Sequence, residues 1–258
     1  METRSEIEVK LSDKVKVFFT TRVDGFSKGD FSSNNLGLHV HDDNETVLKN
    51  RLKLEKAVGK EILFMNQTHS DRVLFVGAEH FVSNKDMAEG RVSVSLGPDC
   101  DGMVTDSKDF ALAVLTADCL PLILYTEDGS IVAAVHCGWK GVYRGIVNNA
   151  LETVRQKSSS PVHAYCGPCI GPESFEVSED LLFKFSEVLG DEAKDCFTLR
   201  DNGKYLCSLP GLVELNLKKL SVNSVTKSNI DTFKETELLY SYRRSAITGR
   251  MATVITAV

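Results

Sequence analysis

Long hydrophobic runs are missing from this 258-residue sequence. No apolar segment approaches the ~18–20 residues that a membrane-spanning helix needs, and the stretch from Met1 to Glu8 is too charged for a signal peptide. An excess of positive charge is also missing, since the net charge is -6. We therefore expect a cytoplasmic protein with no membrane association and no general affinity for nucleic acid.

Internal repeats, low-complexity segments and linker-like stretches are absent as well, so we expect a single domain over residues 1–258. The seven cysteines are an odd number in a chain without an export signal. A disulfide framework is therefore not expected. Free cysteine packs readily into cores, which leaves one or two of these residues as candidates for chemistry.

What the sequence does contain is a series of short apolar runs bounded by turn residues. The runs at 111–115, 120–125 and 131–135 predict buried strands. Further strands are predicted at 15–22, 62–65, 72–76, 92–95, 103–105, 162–166, 238–242 and 250–258, and helices at 43–58, 142–157, 178–188 and 208–220. Because strands and helices intermix, we predict an α+β (mixed α/β) fold with mixed β-sheets covered by helices.

Three side chains suited to zinc follow predicted strands, namely His69, Cys119 and His136. Zinc binds imidazole nitrogen and thiolate sulfur, and three protein ligands leave a position for water, as in catalytic sites. The same residues also fit a Cys–His hydrolase, with Cys119 as nucleophile and either histidine as base. Each could equally be an ordinary packed residue. Their sequence spacing matches no short metal motif and leaves these alternatives open.

Other motifs carry weaker signals. Cys166 and Cys169 form a C-x-x-C pair, but the flanking glycines and prolines favour a rigid turn. The H-x-E and P-C-x-x-C signature of zinc nucleobase deaminases is absent, which disfavours that fold. Arginine binds phosphate in bidentate fashion, so the arginines near the motifs are candidate phosphate ligands, although each could be a surface charge: Arg22, Arg144, Arg243 and Arg244.

Seven groups of residues, in order along nearly the whole chain, resemble the laccase-domain family, whose members are also labelled multicopper polyphenol oxidase or YfiH-like. They are Phe18–Arg22, Asn35–Gly37, Asn66–His69, Thr116–Pro121, Val135–Trp139, Gly167–Gly171, and Tyr242–Arg244 with Thr248–Arg250. The family's His, Cys, His metal triad falls on His69, Cys119 and His136. The resemblance therefore implies a catalytic zinc ion at these three residues.

The function that this resemblance implies is phosphorolysis of adenosine, inosine, guanosine and methylthioadenosine, together with deamination of adenosine. Purine nucleosides and phosphate are then the expected partners of a monomer or homodimer. For phosphorolysis, one or more of the four arginines would hold the phosphate, and Asn35 and Gln67 would contact ribose or base. For deamination, zinc would activate water for attack on C6 of adenine, and Asp101, His41 or Asp118 would protonate the departing ammonia.

Three other functions remain as alternatives. The laccase name implies a copper polyphenol oxidase, but such enzymes need several copper centres with many histidines, and this chain has six. A Cys–His amidase acting on a cell-wall precursor would use the same residues without metal. A non-enzymatic zinc scaffold would bind the metal without turnover. The chain also departs from the family pattern at Asp24–Gly25, at Cys137 and in the long loop 77–98.

Overall fold

The computed structural model describes residues 5–258, so part of the charged N-terminus that argues against a leader lies outside them. The strands are β1 Glu6–Ser12, β2 Val15–Thr20, β3 Ile62–Leu63, β4 Val73–Phe75, β5 Gly102–Thr105, β6 Ala111–Thr116, β7 Leu120–Thr126, β8 Val132–Cys137, β9 Val162–Cys166, β10 Glu176–Val177, β11 Phe197–Leu199, β12 Tyr205–Cys207, β13 Ser224–Lys227 and β14 Met251–Ala257. The helices are α1 Asn44–Val58, α2 Asn84–Ala88, α3 Trp139–Arg144, α4 Ile146–Lys157, α5 Glu179–Leu189 and α6 Leu209–Lys219.

Over residues 5–258 the strands form a five-stranded, a six-stranded and a three-stranded sheet. The five-stranded sheet has the order β1-β2-β14-β6-β3, the six-stranded sheet β13-β9-β7-β8-β5-β4, and the small sheet β10-β12-β11. Both large sheets are mixed, because β3 pairs with β6, β4 with β5 and β13 with β9 in parallel, whereas the other pairs are antiparallel. The predicted mixed α/β fold is confirmed.

The two large sheets pack face to face between layers of helix. Along β6, Leu112 points into the core between the sheets while Ala113 faces α1, as the two-residue period of a strand requires. Along β7, Ile123 points into the same intersheet core while Leu124 packs against α4 and α6. Both faces of these strands are therefore buried, which explains their uninterrupted apolar sequences.

Helix α1 has the ends that its sequence predicts. The Asp43 carboxylate accepts a hydrogen bond from the Thr46 amide, which caps the first turn. Gly59 ends the helix in the left-handed conformation, with φ of 80°. The cap residues therefore fix where α1 begins and ends, and Leu54 and Val58 turn its apolar side onto the five-stranded sheet.

Three predicted elements are wrong. Residues 92–95 form no strand, because the chain folds back onto α2 and leaves Val92 and Val94 largely exposed. Residues 238–242 also form no strand, although Leu239 and Tyr240 are buried against the start of β14. The helix predicted over 142–157 is two helices that meet at Gly145, whose φ is 99°.

The sequence patterns also missed the edge strand β1 and the small sheet, whose short strands carry little periodic signal. Within the described part of the chain, no helix is long and apolar enough to cross a membrane.

Candidate metal centre

The site lies where the chain crosses from one large sheet to the other. His69 is in the connection from β3 to β4, and Cys119 is in the connection from β6 to β7. Both connections leave the five-stranded sheet and enter the six-stranded one. His136 is near the end of β8, whose last residue pairs with the first residue of β7 beside Cys119. Sheet topology thus brings together three residues that are far apart in sequence.

The three side chains converge tightly enough to share one ion. Their ligand atoms all lie within 4.8 Å of one another, and the two imidazole rings meet edge to face with centroids 4.8 Å apart. Gly138 keeps this space open, since a Cβ there would lie 3.2 Å from both Cys119 Sγ and His69 Cδ2. Two imidazoles and one thiolate form a donor set that suits zinc and leaves one coordination position for another ligand.

Asp101 is hydrogen-bonded to both histidines, to the backbone amide of His69 and to the ring of His136. Its carboxylate is fully buried and accepts hydrogen bonds from the amides of Thr68, His69 and Ser70, at 3.1, 3.0 and 2.7 Å. The His136 Nδ1 is hydrogen-bonded to the same carboxylate at 2.8 Å, which turns Nε2 toward Cys119 and the candidate metal position. The structure therefore places Asp101, expected as a proton donor, where it orients two candidate metal ligands.

Charges within this cluster reinforce one another. Burial alone would raise the pKa of Cys119, but the positive charge of His136 and hydrogen bonds from both histidines lower it to about 6. Burial alone would lower the pKa of His136, but the Cys119 thiolate and Asp101 raise it to about 9. Burial opposes ionisation of Asp101 too, yet its hydrogen bonds from His136 and Ser70 hold the pKa well below the ordinary value. Asp101, Cys119 and His136 thus favour one another's charged forms.

Two residues of the site adopt the left-handed backbone conformation that non-glycine residues avoid. His69 has φ of 58° and Asp118 has φ of 96°. The strained His69 is held at both ends, because its amide donates to Asp101 and its carbonyl accepts a hydrogen bond from Arg144 Nη1 at 3.1 Å. Arg144, expected to bind phosphate, therefore holds the backbone of a candidate metal ligand.

The ligands form one wall of a cavity of about 540 Å³, a size typical of small-molecule sites. Of the six predicted substrate contacts, Gln67 and Arg243 line it. The Gln67 side chain donates to the Leu115 carbonyl and accepts from the Leu115 amide, both at 2.7 Å, so it extends the edge of β6. The Arg243 guanidinium lies 5.3 Å from the centre of the Phe175 ring and donates to the Glu176 carbonyl.

The remaining predicted contacts lie outside the cavity lining and hold loops together. Arg22 donates to the carbonyls of Ser32 and Thr236. The buried Asn35 accepts from the amides of Gly37 and Arg250. Arg244 donates to the carbonyls of Thr232, Phe233 and Leu239. His41 is exposed and also lies outside the lining, whereas Asp118 belongs to it.

Several cavity residues were not predicted as ligands. His39, Phe175, Tyr242 and Arg250 line the cavity. Arg250 is largely enclosed, and burial lowers its pKa. The sequence feature that could have identified Arg250 as a cavity residue was its place in the Thr248–Arg250 motif. Tyr242 had the same signal, since it begins the Tyr242–Arg244 motif. Phe175 gave none, because nothing local distinguishes a cavity-lining aromatic side chain from a core one.

The C-x-x-C pair lies on a turn, as favoured. Cys166 ends β9 and Cys169 follows in the turn; both are buried, and burial raises the pKa of Cys166 to about 12. All seven cysteines are free thiols. Cys119 is therefore the thiol whose surroundings favour the thiolate.

The sequence and fold are similar to those of known proteins along almost the whole chain. Residues 16–258 match the family described as multi-copper polyphenol oxidoreductase laccase. A Haemophilus influenzae protein named purine nucleoside phosphorylase is 35% identical over 247 residues, which are 93% of each chain. An Escherichia coli protein named purine nucleoside phosphorylase YfiH is 32% identical over 240 residues, covering 92% of this chain and 91% of that one.

A solved structure shares the fold closely. The crystal structure of a Neisseria meningitidis protein superposes with a TM-score of 0.86 at 34% sequence identity, covering 98% of this chain and 99% of that one. The two-sheet architecture and the crossings that carry the candidate ligands therefore belong to a fold that has been observed by crystallography.

Proposed function

This chain belongs to the multi-copper polyphenol oxidoreductase laccase family, and from that premise we propose that it is a zinc-dependent purine nucleoside phosphorylase that also deaminates adenosine. The proposed phosphorolysis substrates are adenosine, inosine, guanosine and methylthioadenosine. The observation that carries the proposal is the convergence of His69, Cys119 and His136 on a cavity that Arg243 and Arg250 also line. The phosphorylase name of relatives at 32–35% identity supports it.

Zinc is the proposed ion because the donor set and its surroundings fit it. When bound, zinc would supply a Lewis acid and lower the pKa of a water molecule. Asp101 fixes the tautomer of His136, as the partners of zinc-binding histidines do. Two histidines and a cysteine also occur in type 1 copper sites, which usually add a weak methionine ligand. Among the described residues, no methionine lines this cavity.

In the phosphorolysis step, a phosphate oxygen bonds to C1′ of the ribose as the C1′–N9 bond breaks. The electron pair leaves with the purine, which takes up a proton, and the second product is ribose 1-phosphate. Arg243 and Arg250 are proposed to bind the phosphate, since guanidinium groups match its oxygens in geometry and charge. The Arg243 guanidinium is already oriented by Phe175 and by the Glu176 carbonyl, which reduces the entropy lost on binding.

In the deamination step, water adds at C6 of adenosine and ammonia departs with the proton it needs. Of the proton donors predicted for this step, Asp118 lines the cavity and Asp101 is hydrogen-bonded to both candidate histidine ligands. Both carboxylates already accept several hydrogen bonds. The chain's own contribution to this step is therefore proposed to be enclosure and orientation of the nucleoside beside the metal ligands.

The test is turnover of inosine with and without phosphate by the purified protein. We expect hypoxanthine and ribose 1-phosphate only when phosphate is present, and inosine plus ammonia when adenosine is supplied. Cys119→Ala should abolish both activities, whereas Cys196→Ala, at a half-buried cysteine outside the cavity lining, should keep them. Phosphorolysis retained by folded Cys119→Ala protein would overturn the zinc-centred proposal.

A Cys–His hydrolase is the second candidate, and one geometric observation favours it. Asp101, His136 and Cys119 form a row in which the carboxylate orients the imidazole beside the thiol, as in acyl-transfer triads. An amidase acting on a cell-wall precursor would keep its activity after chelation and lose it when iodoacetamide alkylates Cys119. A zinc scaffold would instead bind metal without turnover and lose its fold when the metal is stripped.

A further inference from the structure

Asp118 accepts hydrogen bonds from several separate segments of the chain around the cavity. Its buried carboxylate accepts hydrogen bonds from Thr232 Oγ1 at 2.6 Å, from Ser241 Oγ at 3.0 Å and from the Arg243 amide at 2.6 Å. Its own carbonyl accepts the Ile170 amide at 2.9 Å. One residue thus joins the turn that carries Cys119 to three other chain segments.

The backbone conformation of Asp118 points to the same role. Its φ of 96° is unfavourable for a residue with a side chain, and such a conformation persists only where the surroundings hold it. Gly adopts positive φ freely, and Asn and Asp do so more readily than other residues. The four hydrogen bonds are the contacts that hold Asp118 in place.

The segment after Ser241 forms no strand or helix, so side-chain hydrogen bonds such as those to Asp118 keep it ordered. Residues 241–250 run as turns and irregular chain, with Tyr242 55% exposed at the cavity and Ser241 fully buried. The Arg243 amide is bound to the residue that directly precedes Cys119. The Asp118 carboxylate therefore fixes the backbone of Arg243 relative to Cys119, and the Phe175 ring and the Glu176 carbonyl orient the guanidinium beyond it.

We propose that Asp118 is a positioning residue that holds Arg243 at a fixed place relative to Cys119. It acts on phosphate binding through Arg243, without touching substrate or metal. The kinetic consequence rests on the proposed phosphorylase function, whereas the structural consequence, an ordered 241–245 segment, does not.

The test compares Asp118→Asn with wild type. The amide side chain keeps the size and tolerates positive φ, but it must turn an N–H toward one of three donors. We expect the KM for phosphate to rise about tenfold with kcat changed less than about twofold, the effect of losing one charge-assisted hydrogen bond. Zinc content should stay equal to that of wild type. Backbone amide exchange over 241–245 should quicken, while exchange in β7 and β8 is unchanged.

Two further variants make the result decisive. Asp128→Asn changes a carboxylate that accepts two hydrogen bonds in the turn at the opposite end of β7, and it should match wild type in every readout. Thr232→Val removes a single hydroxyl donor to Asp118 from outside the segment 241–245 and should give a smaller change of the same kind. It decides the matter if Asp118→Asn does not fold.

The proposal is overturned if exchange over 241–245 stays at the wild-type rate in the folded variants. Loss of zinc together with a fall in kcat would also overturn it, because Asp118 would then act on Cys119 and not on Arg243. If wild type itself shows no phosphorolysis, the proposed function fails, and the exchange rates still decide whether Asp118 orders the segment.

Discussion

At the scale of single residues, the site is built by side chains that bind backbone groups and so fix the candidate metal ligands. Asp101 binds three successive amides together with His136, Arg144 holds the carbonyl of His69, and Gln67 pairs with Leu115. Partners of this kind set the orientation of a ligand and its basicity. Their loss should therefore show in metal affinity before it shows in substrate binding.

Asp101→Asn should lower metal affinity 10–100-fold, the usual cost of losing the partner of a metal-binding histidine. An amide at this position must turn its N–H groups toward several donors, so we also expect a lower unfolding temperature. Competition with a chromophoric chelator measures the affinity. Ser70→Ala is the control, because it removes a single hydroxyl donor and leaves the acceptor in place; equal affinities in the two variants would contradict the orienting role.

Gly138→Ala should weaken metal binding by filling the space between the ligands. The added methyl would lie 3.2 Å from the Cys119 sulfur and from the His69 ring, which is closer than most real contacts. Both side chains line a partly open site and can move apart, so the fold should persist while affinity falls about tenfold, a cost of about 1.4 kcal/mol. Isothermal titration with zinc provides the measurement, and unchanged affinity would show that the ligands adopt another arrangement.

Residue identity alone could not separate cavity contacts from structural ones. Arg22, Arg244 and Arg243 all stand near motifs, yet the first two bind backbone carbonyls and only Arg243 lines the cavity. A guanidinium has five donors and satisfies either role equally well. The three candidate metal ligands were singled out because each follows a predicted strand, and the family resemblance then favoured zinc over the alternatives that their spacing left open.

At the scale of elements, the sequence predicts those strands and helices whose own residues carry the signal. Strands β6, β7 and β8 have continuous apolar sequences, and α1 has its own start and stop residues. The segment 238–242 is apolar for a different reason, since it covers the start of β14 without joining a sheet. Whether an apolar run joins a sheet or only covers one depends on tertiary packing and not on the run itself.

Helix α1 contains a buried polar group whose ionisation should affect stability. Burial raises the pKa of Glu55, although its carboxylate accepts from the Ile62 amide and the Asn84 side chain. Above the ordinary value of 4.5 the folded chain then binds more protons than the unfolded chain does. The free energy of unfolding should therefore decline, through this group, as the pH rises from 4.5.

Glu55→Gln should remove this contribution, because glutamine keeps an oxygen acceptor and does not titrate. The stability of the variant relative to wild type should rise as the pH increases from 4.5. Urea unfolding at a series of pH values measures both proteins. A difference that stays constant with pH would show that Glu55 ionises as freely in the folded chain as in the unfolded one.

At the scale of the whole molecule, the metal centre depends on the way two sheets are joined. His69 and Cys119 stand on crossings between the sheets, and the intersheet core and the helix layers are held together by large clusters of buried apolar side chains. Sequence patterns predict the strands but not which strands share a sheet, so the convergence of the ligands could not be read from them. The metal should therefore stabilise a fold that already exists.

Removal of metal should lower the unfolding temperature without unfolding the chain. A ligand present at a thousandfold excess over its Kd stabilises by about 4 kcal/mol, which corresponds to about 10 °C for a chain of this size. Differential scanning calorimetry before and after dialysis against a chelator measures the shift, and far-ultraviolet circular dichroism checks the fold. Collapse of the fold on chelation would support the scaffold alternative.

The central claim is tested most directly by titrating zinc back into metal-free protein and following phosphate-dependent hypoxanthine release from inosine in the same samples. The account predicts a rate that rises in proportion to bound zinc and levels off at one ion per chain, with no zinc bound at this site and no rate in Cys119→Ala. A full rate in metal-free protein, or zinc at one ion per chain with no release of base, would contradict it.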